Sequence, residues 1–138
     1  MKGAYPVFIA PSGKDFLVYI PDWDIYTEGH DMNDAIEMAR DAIGLKGIDY
    51  EDDRKDFPAA STYDAAYQKA KQDTEVFDYT TGIQTMVDID FAEYRKKHDN
   101  RMVRKNCTIP YYLNIMAEEA GLSFSKVLQE ALTEKLSI

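Results

Sequence analysis

Apolar and polar positions along the chain fall into short runs with two periods. Residues 4–10 (Ala-Tyr-Pro-Val-Phe-Ile-Ala) and 16–20 (Phe-Leu-Val-Tyr-Ile) are β-branched and aromatic runs separated by a turn over residues 11–14. Together they predict a hairpin. Pro6 points to an edge position or a strand start, because proline cannot donate to a ladder. Residues 21–24 (Pro-Asp-Trp-Asp) break the second strand, and 25–28 reads as a third, ended by Gly29. Asp31 is a good N-cap, and Ala35, Ile36, Ala39, Ala42 and Ile43 then recur at spacings of three and four, as one face of a helix does. Gly44 and Gly47 weaken the end of that helix, and the charged stretch 50–55 either extends it or frays. Ser61 or Thr62 caps a short helix through Ala66 and Ala70. Alternation of Ile83, Thr85, Val87 and Ile89 predicts a fourth strand. The order βββαβ implies an α+β layer, a sheet with helix on one face.

The remainder reads differently. Residues 91–100 are strongly charged and form the expected linker, with Phe91 and Tyr94 able to anchor a short helix against either neighbour. Expected domains are therefore 1–90 and 101–138. In the second, a short alternating run (103–109) precedes two helices. Pro110 suits the first turn of one helix, since its missing N–H has no helical partner to lose. Leu113, Met116, Ala117 and Ala120 form that helix's stripe, and Gly121 is the expected C-cap. Ser123 caps the next helix, on which Phe124, Val127, Leu128, Ala131, Leu132 and Leu136 share a face. A strand and two short amphipathic helices cannot close a core alone. They imply a second copy of the same segment, as in a ribbon-helix-helix (βαα) dimer whose paired strands enter the DNA major groove.

Charge sharpens the division. The net formal charge is −9, yet residues 101–138 carry five Lys/Arg and four acids. The first hundred residues therefore hold 11 basic and 21 acidic side chains. Such a body repels phosphate and suits a basic protein partner, although acid excess also serves solubility alone. No apolar run is long enough to span a membrane and no signal pattern opens the chain, so a cytoplasmic protein is expected. A single cysteine, Cys107, and two histidines argue against disulfides and structural zinc. No metal or cofactor is expected, and Cys107 reads as a small buried hydrophobe.

Alternation in 103–109 puts Arg104, Asn106 and Thr108 on one face and Val103, Lys105, Cys107 and Ile109 on the other. Arg, Asn and Thr are residue types that reach base edges, so the first set is the candidate DNA-reading face; a solvated strand face is the plain alternative. Lys105 is discordant on the apolar side: either it snorkels out toward phosphate or the strand begins at Asn106. Ser123, Ser125 and Lys126 at a helix N-terminus make a candidate phosphate clamp, or an ordinary cap. In the body, Asp22, Trp23, Asp24, Tyr26 and Glu28 form a candidate protein-binding rim, with Trp and Tyr as hot-spot residues against a basic partner. The alternative is that Trp23 packs inward.

The chain resembles the HicB family of antitoxins. The resemblance lies in the Tyr5-Pro6 hairpin, the strand ending Ile20-Pro21-Asp22, the Thr27-Glu28-Gly29 element and the helix bearing Ala35 and Ala39. The family's Pro-Asp-Leu-Pro-Gly motif departs here to Pro-Asp-Trp-Asp-Ile at 21–25. The resemblance implies a partial RNase H-like N-terminal domain that occludes a small basic mRNA-degrading toxin of the HicA type. It also implies a C-terminal ribbon-helix-helix dimer that represses its own operon through operator DNA, on the nucleoid of a bacterium or archaeon. Pairing of N-terminal domains would raise the dimer to a tetramer. No enzyme activity is expected: the run 4–10 lacks the acid that RNase H-type nucleases carry on their first strand. A stand-alone ribbon-helix-helix regulator with a ligand-sensing N-terminal domain is the alternative.

Overall fold

Strands β1 (Lys2–Ser12) and β2 (Asp15–Ile20) pair antiparallel with Ser12 opposite Asp15. The loop is thus two residues long, and Gly13 at φ 60° supplies the positive dihedral that a II′ hairpin turn needs at its first position. β3 (Ile25–Gly29) adds beside β2, and β4 (Ile83–Asp90) beside β1, giving the order β3-β2-β1-β4, antiparallel throughout. β1 is therefore central in the sheet, while Pro6 itself keeps the one-sided position expected of it. Pairing of β1 with β2 begins only at Phe8, so at Pro6 the strand is laddered to β4 alone. The chain is described over all 138 residues by a computed structural model. It divides into Met1–Arg101 and Met102–Ile138.

Helix α1 (Met32–Asp52) covers one face of the sheet, and its N-cap Asp31 accepts from the Asp34 amide at 2.7 Å. Ala35, Ala39 and Ile43 meet Val7, Ile9, Val18, Ile20, Val87 and Ile89. Small side chains at 35 and 39 let the helix axis approach the sheet closely. A second helix, α2 (Tyr63–Lys71), covers part of the opposite face through Ala66 and Ala70 against Phe8 and Tyr19. Thr62, not Ser61, is its cap. The sheet is thus covered on both faces rather than one, which is why residues 5–10 of β1 are buried without a break.

α1 does not end at its glycines. A Cβ at Gly44 would lie 2.6 Å from the Tyr94 ring, and one at Gly47 would lie 2.6 Å from Phe91. Both rings belong to α3 (Phe91–His98), capped by Asp90 and buried against α1. The expected linker is therefore part of the first unit. Tyr94 Oη donates to Asp41 at 2.6 Å. Arg95 bridges Glu51 and Asp52 from the far side, and Arg101 bridges Asp52 and Asp99. Hydrogen bonds from Arg95 and Arg101 hold the Asp52 carboxyl below its ordinary range. The body boundary accordingly falls after Arg101.

In the second unit, residues 102–110 adopt no regular secondary structure in the single chain. α4 (Tyr111–Glu119) and α5 (Phe124–Leu136) follow. Gly121 at φ 68° closes α4: its own N–H reaches the Glu118 carbonyl and the Leu122 N–H reaches Ala117, a Schellman arrangement. Ser123 caps α5 through the Lys126 amide. No side chain of either helix is buried. No helix of the chain is long and apolar enough to cross a membrane.

Candidate functional site

Two surfaces bear the candidate residues, one on each unit. On the body, the 21–24 segment is a 3-10 turn, Pro21–Trp23, closed by Asp24 in the left-handed region at φ 49°. Three distant groups clamp it: Ser61 bonds both Asp22 oxygens, Lys46 donates to the Trp23 carbonyl, and Lys69 donates to the Pro21 carbonyl at 2.7 Å and to Asp24 at 2.9 Å. Trp23 is only 1% exposed. Its indole lies among Tyr5, Tyr50 and Phe57 at centroid distances of 5.1–5.3 Å, with Phe91 at 6.1 Å. This corrects the exposed rim expected for it: the indole belongs to the core. Asp22 is half-buried against Ser61.

Asp24, Tyr26 and Glu28 do stay exposed. What the sequence reading missed is the company they keep. Tyr26 of β3 stacks on Tyr19 at 4.8 Å, and Tyr79 sits 5.4 Å from Tyr19 and 5.8 Å from Tyr26. Phe77 meets Tyr79 edge-on at 5.0 Å. These rings, with Lys69, Ala70, Asp73 and Val76, line a notch of about 330 Å³. Burial first, then the neighbouring Tyr26, Asp24 and Asp73, holds the Tyr19 phenol above its ordinary pKa. It therefore stays a neutral hydrogen-bonding group at every physiological pH. The only sequence signal for the notch was aromatic density around 77–79, which has no periodicity to follow.

A second groove on the body, about 610 Å³, runs between α1, β4 and α3 and is lined by Glu37, Arg40, Asp41, Glu93 and Lys97 among others. Two of its charged groups are answered from within: Arg40 binds Asp88, and Asp41 is held by Tyr94. No three His, Cys, Asp or Glu side chains converge as metal ligands anywhere in the chain.

On the second unit, Lys105, Asn106, Cys107 and Ile109 line a groove of about 620 Å³ with Phe124, Ser125, Val127, Leu128 and Ala131. Cys107 is exposed rather than buried. Asn106 shares the groove wall with Lys105 and Cys107, against the strict alternation expected, because an unladdered segment is not held to a pleat. Arg104 and Thr108 are exposed and lie outside the groove lining. Ser123 and Lys126 are both exposed at the start of α5.

The chain is thus a mixed α/β body with a four-stranded antiparallel sheet, followed by a separate two-helix unit. The family model described as HicB_like antitoxin of bacterial toxin-antitoxin system matches residues 5–130, and the chain belongs to that family. The chain is similar in fold to one from a toxin–antitoxin complex of Streptococcus pneumoniae, at 24% identity and a TM-score of 0.60, covering 98% of this chain and 99% of that one. It is also similar to the antitoxin HicB of Burkholderia pseudomallei, at 20% identity and a TM-score of 0.50, covering 97% and 96%. A comparison with curated proteins gave no match.

Proposed function

We propose that this chain neutralises a small basic HicA-type toxin that degrades mRNA, through its N-terminal unit, and represses its own operon through its C-terminal unit. The body is read as a partial RNase H-like fold without nuclease activity. Residues 102–138 are read as half of a ribbon-helix-helix, acting in the cytoplasm and on operator DNA.

One observation carries the DNA half of this reading. α4 and α5 have regular amphipathic spacing, yet no residue of either is buried within its own chain. Leu113, Met116, Val127, Leu128, Leu132 and Leu136 are all exposed. An apolar surface of that extent in a soluble unit is the signature of an interface. A second copy supplies the same surface and a partner strand for 103–109. Pairing of two such segments restores the alternation that turns Arg104, Asn106 and Thr108 outward together, toward base edges.

Co-expression of the chain with the small basic protein encoded beside it, followed by affinity capture and mass measurement, tests the toxin half. Capture of an even number of antitoxin chains with toxin, and relief of growth arrest, is expected. A gel shift on the chain's own promoter tests the other half. Arg104→Ala is expected to weaken that binding by about 1–3 kcal/mol and to relax preference at one base pair. Unchanged affinity and preference would remove Arg104 from the reading face. If the chain retards promoter DNA but captures no basic neighbour, a free-standing ribbon-helix-helix regulator with a ligand-sensing body becomes the better account.

A further inference from the structure

The aromatic notch at the β3 edge has three properties that an internal packing feature lacks. First, its outer wall is open: Tyr26 is 61% exposed and Val76 95% exposed, although both are apolar or aromatic and both are held near buried rings. Second, its rings come from elements far apart in sequence, Tyr19 and Tyr26 from the sheet, Phe77 and Tyr79 from the connection after α2, so the fold builds it with four rings already in mutual contact. Third, its rim is acidic and largely unspent. Asp73 lines the notch, Glu75 is exposed next in sequence to the lining residue Val76, and Glu28 lies two residues beyond Tyr26 on the same face of β3. None of these three acids makes an ion pair. The one cation in the lining, Lys69, is engaged by Asp24 and the Pro21 carbonyl.

We infer that this notch is the docking point for the basic protein partner, with an arginine or lysine of that partner laid against the Tyr26 and Tyr79 rings and its charge set among Asp73, Glu75 and Glu28. The inference rests on the antitoxin reading above and adds the surface that reading leaves open. The faces of π-rings attract cations, and carboxylates at the rim reinforce that attraction once water is excluded. Rings already stacked on one another lose little freedom on binding, which is what makes tyrosine an effective anchor. A second copy of this body is a poor occupant, since two strongly acidic surfaces repel. Nucleic acid is excluded by the same sign of charge. The α1–α3 groove is the weaker candidate, because it offers no exposed tyrosine or phenylalanine ring: Tyr94 in its lining is 9% exposed and donates to Asp41.

The test measures the affinity of the full-length chain for the small basic protein encoded beside it, carried as a catalytically silenced form, by calorimetry. Tyr26→Ala and Asp73→Lys are each expected to weaken binding roughly thirty-fold or more. Glu37→Lys in the α1–α3 groove is expected to change it by less than about threefold. All three positions lie at the surface, and an unchanged melting temperature with unchanged promoter binding certifies each variant as folded. Wild-type binding with Tyr26→Ala retained within about threefold overturns the assignment and leaves the antitoxin reading standing. Failure of the wild-type chain to bind that protein at all overturns the reading, and the docking site with it.

Discussion

Replacing Trp23 by alanine is expected to cost the first unit about 3–5 kcal/mol, the range for removing a large aromatic from a core. The indole is enclosed by Tyr5, Tyr50, Phe57 and Phe91, and Phe57 and Phe91 also touch each other at 4.5 Å. No single neighbour can fill the space, because each ring is already pinned by the others. Such a loss is a large part of the roughly 5–15 kcal/mol that holds a domain folded. Trp23→Phe is expected to cost much less. It keeps most of the ring contact and removes an indole N–H that has no acceptor in the chain, whose burial is itself unfavourable. Urea denaturation of both variants measures the difference. If Trp23→Ala kept wild-type stability within about 1 kcal/mol, the size of a surface change, while losing affinity for the partner, Trp23 would return to the binding surface as a hot spot.

Gly44→Ala in α1 is expected to destabilise the protein by about 1–3 kcal/mol, although alanine is the better helix former by about 1 kcal/mol. The sign turns on packing. The added Cβ would sit 2.6 Å from the ring of Tyr94, and the atoms met include Cγ, the root of the ring rather than its mobile end. Tyr94 cannot swing aside without giving up its hydrogen bond to Asp41. Gly47→Ala meets Phe91 in the same way, and Phe91 is wedged against Trp23 and Phe57. Hydrogen exchange should show α3 amides losing protection first, as the helix lifts from α1 before the sheet opens. A rise in stability for Gly44→Ala would mean that these glycines are mere propensity defects and that α3 is not seated on them.

These two substitutions concern places where local reading and folded structure part company. Trp23 stands in a polar stretch, between two aspartates, and nothing in its neighbours announces that the turn folds it inward. The turn does so because Lys46, Ser61 and Lys69, all remote in sequence, satisfy its polar groups, leaving the indole as the face that meets the core. Gly44 and Gly47 look like a helix losing strength. They are instead the clearance that lets a later helix dock. The expected linker 91–100 belongs to the first unit for the same reason: Phe91 and Tyr94 of α3 face inward while its charged residues stay outside. Of the expected rim, Asp24, Tyr26 and Glu28 are exposed, while Asp22 is half-buried and Trp23 lies in the core. The rings that meet Tyr19 and Tyr26, Tyr79 with Phe77 behind it, come from a segment with no legible pattern.

The sequence by itself determined what depends on near neighbours. The first hairpin, the caps Asp31 and Ser123, the Gly121 stop, the fourth strand and the family likeness all follow from residues within a few positions of one another. So does the lack of a core in the C-terminal unit, since its two short apolar stripes have nothing else in their own segment to cover them. Only the tertiary structure decided which side of a turn Trp23 occupies, why a helix runs through two glycines, that helices cover both faces of the sheet, and that four rings meet at the β3 edge. Those outcomes are contacts between residues tens of positions apart. Periodicity states which face of an element is apolar, but the partner that face meets is chosen by packing.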